Sequence, residues 1–222
     1  MTQTVTDKLP RRAPKSLRRE QLINATIDSL ARRGYAATTL ADVADGAGLS
    51  RGIVNFHFES KDKLLIETLQ FLADEYSANW REAVAKAGDS PAQQMFAIIV
   101  ADLDERVCNP RKVAAWFAFF AEAKSRPSYQ KLSWARDGDY MDLLAAVCRA
   151  LKSEGKYGFD SNRMADSVYA MQEGLWLRLM LESDEFSRDL ALDTALTTIG
   201  TLFPRHFDQK GRLIRNMKGD VE

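Results

Sequence analysis

Histidine and cysteine are scarce in this chain of 222 residues, with two of each. His57 and His206 lie far apart, and Cys108 and Cys148 fall in helix-like runs without metal-ligand spacing. A Cys/His metal site is therefore not expected, and the cysteines read as small buried residues of a reducing compartment. The glycines form neither a phosphate-cradling loop nor a nucleophile elbow, so the parts for nucleotide or acyl chemistry are missing. No enzyme activity, cofactor or metal is expected. The longest uninterrupted apolar run, VAAWFAFFA from Val113 to Ala121, is too short to span a bilayer. The opening MTQTVTDKLPRRAPK has basic residues with no apolar segment behind them, unlike a secretory signal. A soluble, cytoplasmic protein without a membrane partner is expected. Alternating β-branched runs, internal repeats and low-complexity segments are also missing, which disfavours sheets and solenoids.

Charge is plentiful but cancels: 31 basic and 31 acidic side chains. The cancellation hides a gradient. Residues 1–63 hold 11 Lys and Arg against 7 Asp and Glu, leaving the remainder with 20 against 24. Between Lys8 and Arg19 there are six basic residues and no acid. A basic end on an acidic body is compatible with a nucleic-acid partner despite the neutral total. The arm is either a loose tail or a minor-groove strap.

Apolar residues recur at spacings of three and four through most of the chain, so the fold class is all-α with about nine helices. Leu22, Ile23, Ala25, Thr26, Ile27 and Leu30 mark the first helix, ended by Gly34; a long one runs from Lys61 to Ala87 and stops at Gly88. Ser90-Pro91 and Asn109-Pro110 each pair a cap with a first-turn proline, and Pro127-Ser128 opens a further helix. Two more helices read as Ser161 to Glu182 and Ser187 to His206. The expected organisation is a flexible basic arm over 1–15, a helix-turn-helix unit over 16–63, a larger helical domain over 64–208, and a loose tail over 209–222.

The stretch TTLADVADGAGLSRGIVNFHF, Thr38 to Phe58, carries the most information. Thr39 is a good N-cap for LADVADGA, and Asp42 three residues on completes a variant capping box. Gly48 stands where a left-handed backbone would end that helix, and Ser50 caps the next one. Ile53, Val54 and Phe58 form the inner side of this second helix, and small Ala44 allows a close crossing. Two helices joined by so short a turn make a helix-turn-helix pattern. The second helix offers Arg51, Asn55 and His57 outward, and Lys61 follows at a helix N-terminus, where anions are favoured.

Thr38 to Leu65, TTLADVADGAGLSRGIVNFHFESKDKLL, resembles the DNA-binding domain of the TetR family of bacterial repressors. The resemblance implies DNA contacts from Thr39, Ser50, Arg51, Asn55, His57 and Lys61, double-stranded operator DNA as partner, and a ligand-binding domain in the helical remainder. Asn55 departs from the tyrosine common at that position, so it would bond phosphate or adenine instead. A homodimer is also implied, with Leu175, Leu179, Leu192, Leu196, Ile199 and Phe203 on the last two helices as its interface.

The remainder is aromatic-rich. AAWFAFFAEAKSRPSYQKL (Ala114 to Leu132) and EGLWLRLML (Glu173 to Leu181) are similar to segments of the choline-responsive branch of that family, which controls glycine-betaine synthesis. What this implies is a small quaternary ammonium effector in an aromatic cage. Trp116, Phe120, Trp134 and Trp176 are the cage candidates, and Glu173 and Asp104 the carboxylate candidates. The same aromatics could instead serve the core, or a neutral lipophilic or aromatic effector of a regulator of efflux or catabolic genes. A helical protein-interaction module is the rival outside DNA binding.

Overall fold

The computed structural model describes residues 14–182 and 185–214, with the backbone alone over 130–137. Its helices are α1 (Lys15–Ala37), α2 (Leu40–Ala47), α3 (Arg51–His57), α4 (Lys61–Ala87), α5 (Pro91–Asp102), α6 (Pro110–Ala123), α7 (Pro127–Gly155), α8 (Ser161–Leu181) and α9 (Arg188–Leu202). The expected all-α class is found. The only β pairing among the described residues is an isolated bridge between Phe207 and Leu213.

Polar caps fix the helix starts. Ser90 and Asn109 accept from the backbone N–H of Gln93 and Lys112, each ahead of a first-turn proline. Asp160 accepts from two N–H groups at the start of α8, Asn162 and Arg163. The run after Pro91 ends at Asp102, and residues 103–109 turn before α6 begins. The first helix is interrupted at Gly34, with a φ of 75°.

Helices α1, α2 and α3 enclose a small core of Leu22, Ile27, Val43, Val54 and Phe58, each at most 2% exposed or less. The start of α4 closes it with Leu64 and Leu65. Helix α1 also lies along α6, while α4 packs on α5 and α7, and α7 on α8. Arg111 of α6 clamps α1 by bonding Asp28 and the carbonyl and side-chain oxygens of Asn24. The hydroxyls of Tyr35 on α1 and Tyr129 on α7 meet at 2.8 Å in a buried contact. Arg126 lies over both rings and pairs with Asp62 in the first turn of α4.

The tail corrects one expectation. Residues 209–214 are folded onto the body: Asp208 accepts from the N–H of Lys210 and Arg212, and the Ile214 N–H donates to the His206 carbonyl. This turn packs so tightly on α9 that a Cβ at Gly200 would stand 2.2 Å from the Asp208 carbonyl oxygen. Residues 215–222 and the arm over 1–13 lie outside the described residues. Among the described residues no helix is long and apolar enough to cross a membrane.

Candidate nucleic-acid interface and ligand cavity

The elbow is built as its sequence requires. The Thr39 hydroxyl accepts from the Asp42 N–H, and the Asp42 carboxylate accepts from the Thr39 N–H at 3.0 Å, a complete capping box. Gly48 takes φ 65°, ψ 34°, and its N–H and that of Leu49 close the C-terminus of α2. An L side chain at that φ would be strained. Ser50 stands at the N-cap of α3, but its hydroxyl makes no cap bond.

Helix α3 turns Val54 inward and leaves Arg51, Gly52, Asn55 and Phe56 exposed. Arg51 and Asn55 are therefore placed on the outer face, as the sequence suggests. His57 is not: it is half-buried, its Nδ1 is enclosed without a hydrogen-bond partner, and its ring meets Phe56 edge-on at 5.2 Å. Burial, and then the positive charges of Lys15, Arg19 and Arg18, hold the imidazole pKa below its ordinary value. Helical rotation explains the difference, because position 57 lies three residues past the buried Val54. Lys61 is also turned partly inward, its ammonium 3.5 Å from the Tyr35 carbonyl oxygen and over the Tyr35 ring. Arg19, counted in the basic stretch, is a clamp: it donates to the His57 carbonyl, bonds Glu67 and lies over Phe58.

A second feature lies in the body, where α4, α5 and α8 meet at one carboxylate. Asp102, the last residue of α5, is 4% exposed. It accepts from the Tyr76 hydroxyl of α4 at 2.8 Å and from the Trp176 indole N–H of α8 at 3.1 Å. Charge-assisted bonds of this kind are what allow a carboxylate to be buried. Beside it opens a cavity of about 380 Å³, counting its mouth, lined by Tyr76, Asp102, Phe117, Phe120, Tyr169, Gln172, Glu173 and Trp176. Its enclosed space is only about 30 Å³, against about 300 to 1,000 Å³ for typical ligand pockets, so a small molecule would enter only if the lining side chains moved apart.

Phe120, Trp176 and Glu173 line this cavity. Trp116 does not; it is 1% exposed and stacks behind Phe120 with centroids 5.6 Å apart. Asp104 is a correction. It sits past the end of α5, bonded to the N–H and guanidinium of Arg106, away from the lining. Partial burial pushes its carboxyl pKa up, but the bonds from Arg106 outweigh that and hold it low. The side chain of Trp134 lies outside the described residues. The sequence did carry a signal for Asp102: it falls on the buried stripe Met95, Ile98, Ile99, at spacings of three and four. Gln172, 3% exposed, receives the Tyr140 hydroxyl on its Oε1 and leaves its Nε2 without a partner at the cavity wall.

Three of the expected interface residues are also corrected. Leu175, Ile199 and Phe203 are 5%, 0% and 0% exposed, buried in the core of their own chain. Leu179, Leu192 and Leu196 are half-buried, and the apolar side chains that stand out on these helices are Leu177, Leu181 and Leu190.

An elbow with an exposed recognition helix, joined by one long helix to a body with a small aromatic cavity, defines a helix-turn-helix transcriptional regulator rather than an enzyme. Comparison with known proteins gives the family. Residues 22–68 match the bacterial regulatory proteins of the tetR family, and residues 91–204 match the BetI-type transcriptional repressor C-terminal domain. The HTH-type transcriptional regulator BetI of Paraburkholderia xenovorans is 33% identical over 189 residues, covering 84% of this chain and 94% of the relative. BetI of Pseudomonas aeruginosa PAO1 is 31% identical, covering 84% and 93%. The chain belongs to the TetR family and carries a BetI-type C-terminal domain. Among solved structures, a candidate transcriptional regulator from Pseudomonas aeruginosa PAO1 superposes with a TM-score of 0.74 at 26% identity, over 87% of this chain and 93% of that one. A Saccharomonospora viridis protein in complex with choline shares the fold, with a TM-score of 0.71 at 19% identity over 83% and 96%.

Proposed function

We propose that this regulator is a homodimeric repressor that leaves a palindromic operator when a small quaternary ammonium, choline or a close relative, enters the cavity beside Asp102. The buried carboxylate among aromatic rings carries the reading. A cation gains about 0.5–2 kcal/mol from an aromatic face in a desolvated site, and Tyr76, Phe120, Tyr169 and Trp176 supply such faces around Asp102. The unpartnered Nε2 of Gln172 suits a ligand that also bears an oxygen. The BetI names of the relatives and the choline complex of the Saccharomonospora viridis protein point the same way. A small cavity with a carboxylate favours this over a bulky neutral effector.

The route from ligand to DNA follows α4. It begins four residues after α3 ends and carries Tyr76 on its fourth turn or so, roughly 22 Å from its start at 1.5 Å per residue. A ligand that favours one setting of Tyr76 against Asp102 and Trp176 would tilt α4 and change the separation of the two recognition helices. Its leverage is limited to its difference in affinity for the two shapes. On this reading residues 16–63 act as the DNA-binding unit and 64–208 as the sensing and dimerising one. Arg51 and Asn55 are its polar DNA contacts, and Thr39, Ser50 and Lys61 its contacts to the backbone.

The test is calorimetric titration with choline and with 3,3-dimethylbutanol, its uncharged isostere, on wild type and Asp102→Asn. Choline is expected to bind wild type at least ten-fold more tightly than the isostere, and roughly thirty-fold or more weakly to the variant. Equal binding of the two compounds, or none, would overturn the cationic reading and leave the family assignment standing.

A further inference from the structure

The fold leaves one large aromatic side chain unused. Phe56 is 74% exposed on α3, between Val54 at 0% and Phe58 at 1%. It shares the outer face with Arg51, Gly52 and Asn55, so it belongs to the surface this regulator presents to DNA. The ring has two neighbours. His57 meets it in a T-shaped contact, 5.2 Å between centroids, and the Lys15 ammonium lies 5.6 Å from its centre. Gly52, one turn earlier, puts no side chain between ring and groove. A Cβ there would find only the Ser50 hydroxyl at 3.8 Å, so the protein's own packing does not require a glycine.

A phenyl ring makes no conventional hydrogen bond, so neither a phosphate nor the polar edge of a base rewards its exposure. On base edges in the major groove the apolar group is the C5 methyl of thymine, and phenylalanine is one of the side chains that packs against it. We propose that Phe56 is a specificity residue that reads the methyl group of one thymine in each operator half-site. His57 supports the ring from the protein side, Lys15 lies beside it facing the phosphate chain, and Arg51 and Asn55 take the polar contacts.

The experiment begins by selecting duplexes from a randomised pool with the full-length protein. Each thymine of the selected operator is then replaced by deoxyuridine, which removes the methyl group alone, and binding is followed by fluorescence anisotropy. At one position per half-site, uracil is expected to weaken wild type about four-fold, the worth of one buried methyl group. The same replacement should leave Phe56→Ser unaffected, and that variant should melt like wild type because the ring is exposed. The proposal is overturned if no thymine methyl matters more to wild type than to Phe56→Ser. It is equally overturned if Phe56→Ser weakens every duplex alike, which would put the ring against the sugar-phosphate chain. Recovery of no duplex at all would instead remove the DNA-binding assignment on which the proposal rests.

Discussion

Single carboxylates do different work here according to what surrounds them. Asp102 is held in the interior by donors from two other helices, and on the proposed reading a cation would use that enclosure. Asp42 lies at the other extreme, at the surface of the elbow. Bonds from Thr39, helped by the charges of Arg33 and Arg51, outweigh the opposing effect of burial and hold its pKa below the ordinary 3.8. A folded carboxyl with a lowered pKa releases its proton where the unfolded chain still holds one. Its stabilisation is therefore full above 3.8 and is lost as pH falls through the folded value. Asp42→Ala is expected to lower stability to urea at about pH 6, and the gap to wild type should close as the pH drops below about 4. A gap of constant size at every pH would mean that the carboxylate charge plays no part in the cap.

At the level of elements, the elbow meets the body mainly where α1 lies along α6, and the Tyr35–Tyr129 hydroxyl contact adds a buried polar link to that seam. Burial pushes both phenol pKa values up, so each remains a neutral hydroxyl at physiological pH. Tyr129→Phe would leave the Tyr35 hydroxyl buried without its partner and is expected to destabilise the protein by about 1–3 kcal/mol. Adding Tyr35→Phe should recover much of that loss, because two apolar edges then meet. Urea unfolding of the four proteins measures the cycle, and additive losses would show that the hydroxyls do not act as a pair. The sequence could not disclose this link, since 94 residues separate the two tyrosines. It disclosed elements well: the capping box at Thr39, the left-handed Gly48, and the Ser-Pro and Asn-Pro starts are all local chemistry. It disclosed facing poorly. Asp104 and Asp102 differ by two positions, yet only one points inward. Likewise Leu175, Ile199 and Phe203 read as a spare apolar face until the partners that bury them were in view. The aromatic run from Trp116 to Phe120 covers more than one face, so spacing alone could not divide it between core and cavity.

For the molecule as a whole, the proposed function requires two recognition helices at a fixed separation, because half-sites read through successive major grooves lie about 34–36 Å apart. A single chain cannot supply that separation. The outer face of α8 offers the means: Ala170 and Gly174 are exposed and small, and Leu177 and Leu181 continue the same stripe at 39% and 68% exposure. Leu190 of α9 is exposed as well, at 45%. Exposed leucines in line with small residues let a second copy approach closely, and a two-fold axis would set each stripe against its equivalent. The buried Leu175, Ile199 and Phe203 would then support this face from beneath rather than cross it. Leu177→Glu combined with Leu181→Glu is expected to leave helicity and thermal unfolding of the isolated chain nearly intact, since neither side chain fills its core. Sedimentation should show monomers, and operator affinity should fall by more than an order of magnitude, since each half-site would be bound separately. A variant that still sediments as a dimer and binds DNA as before would move the interface elsewhere, and with it the geometry through which α4 could alter the spacing.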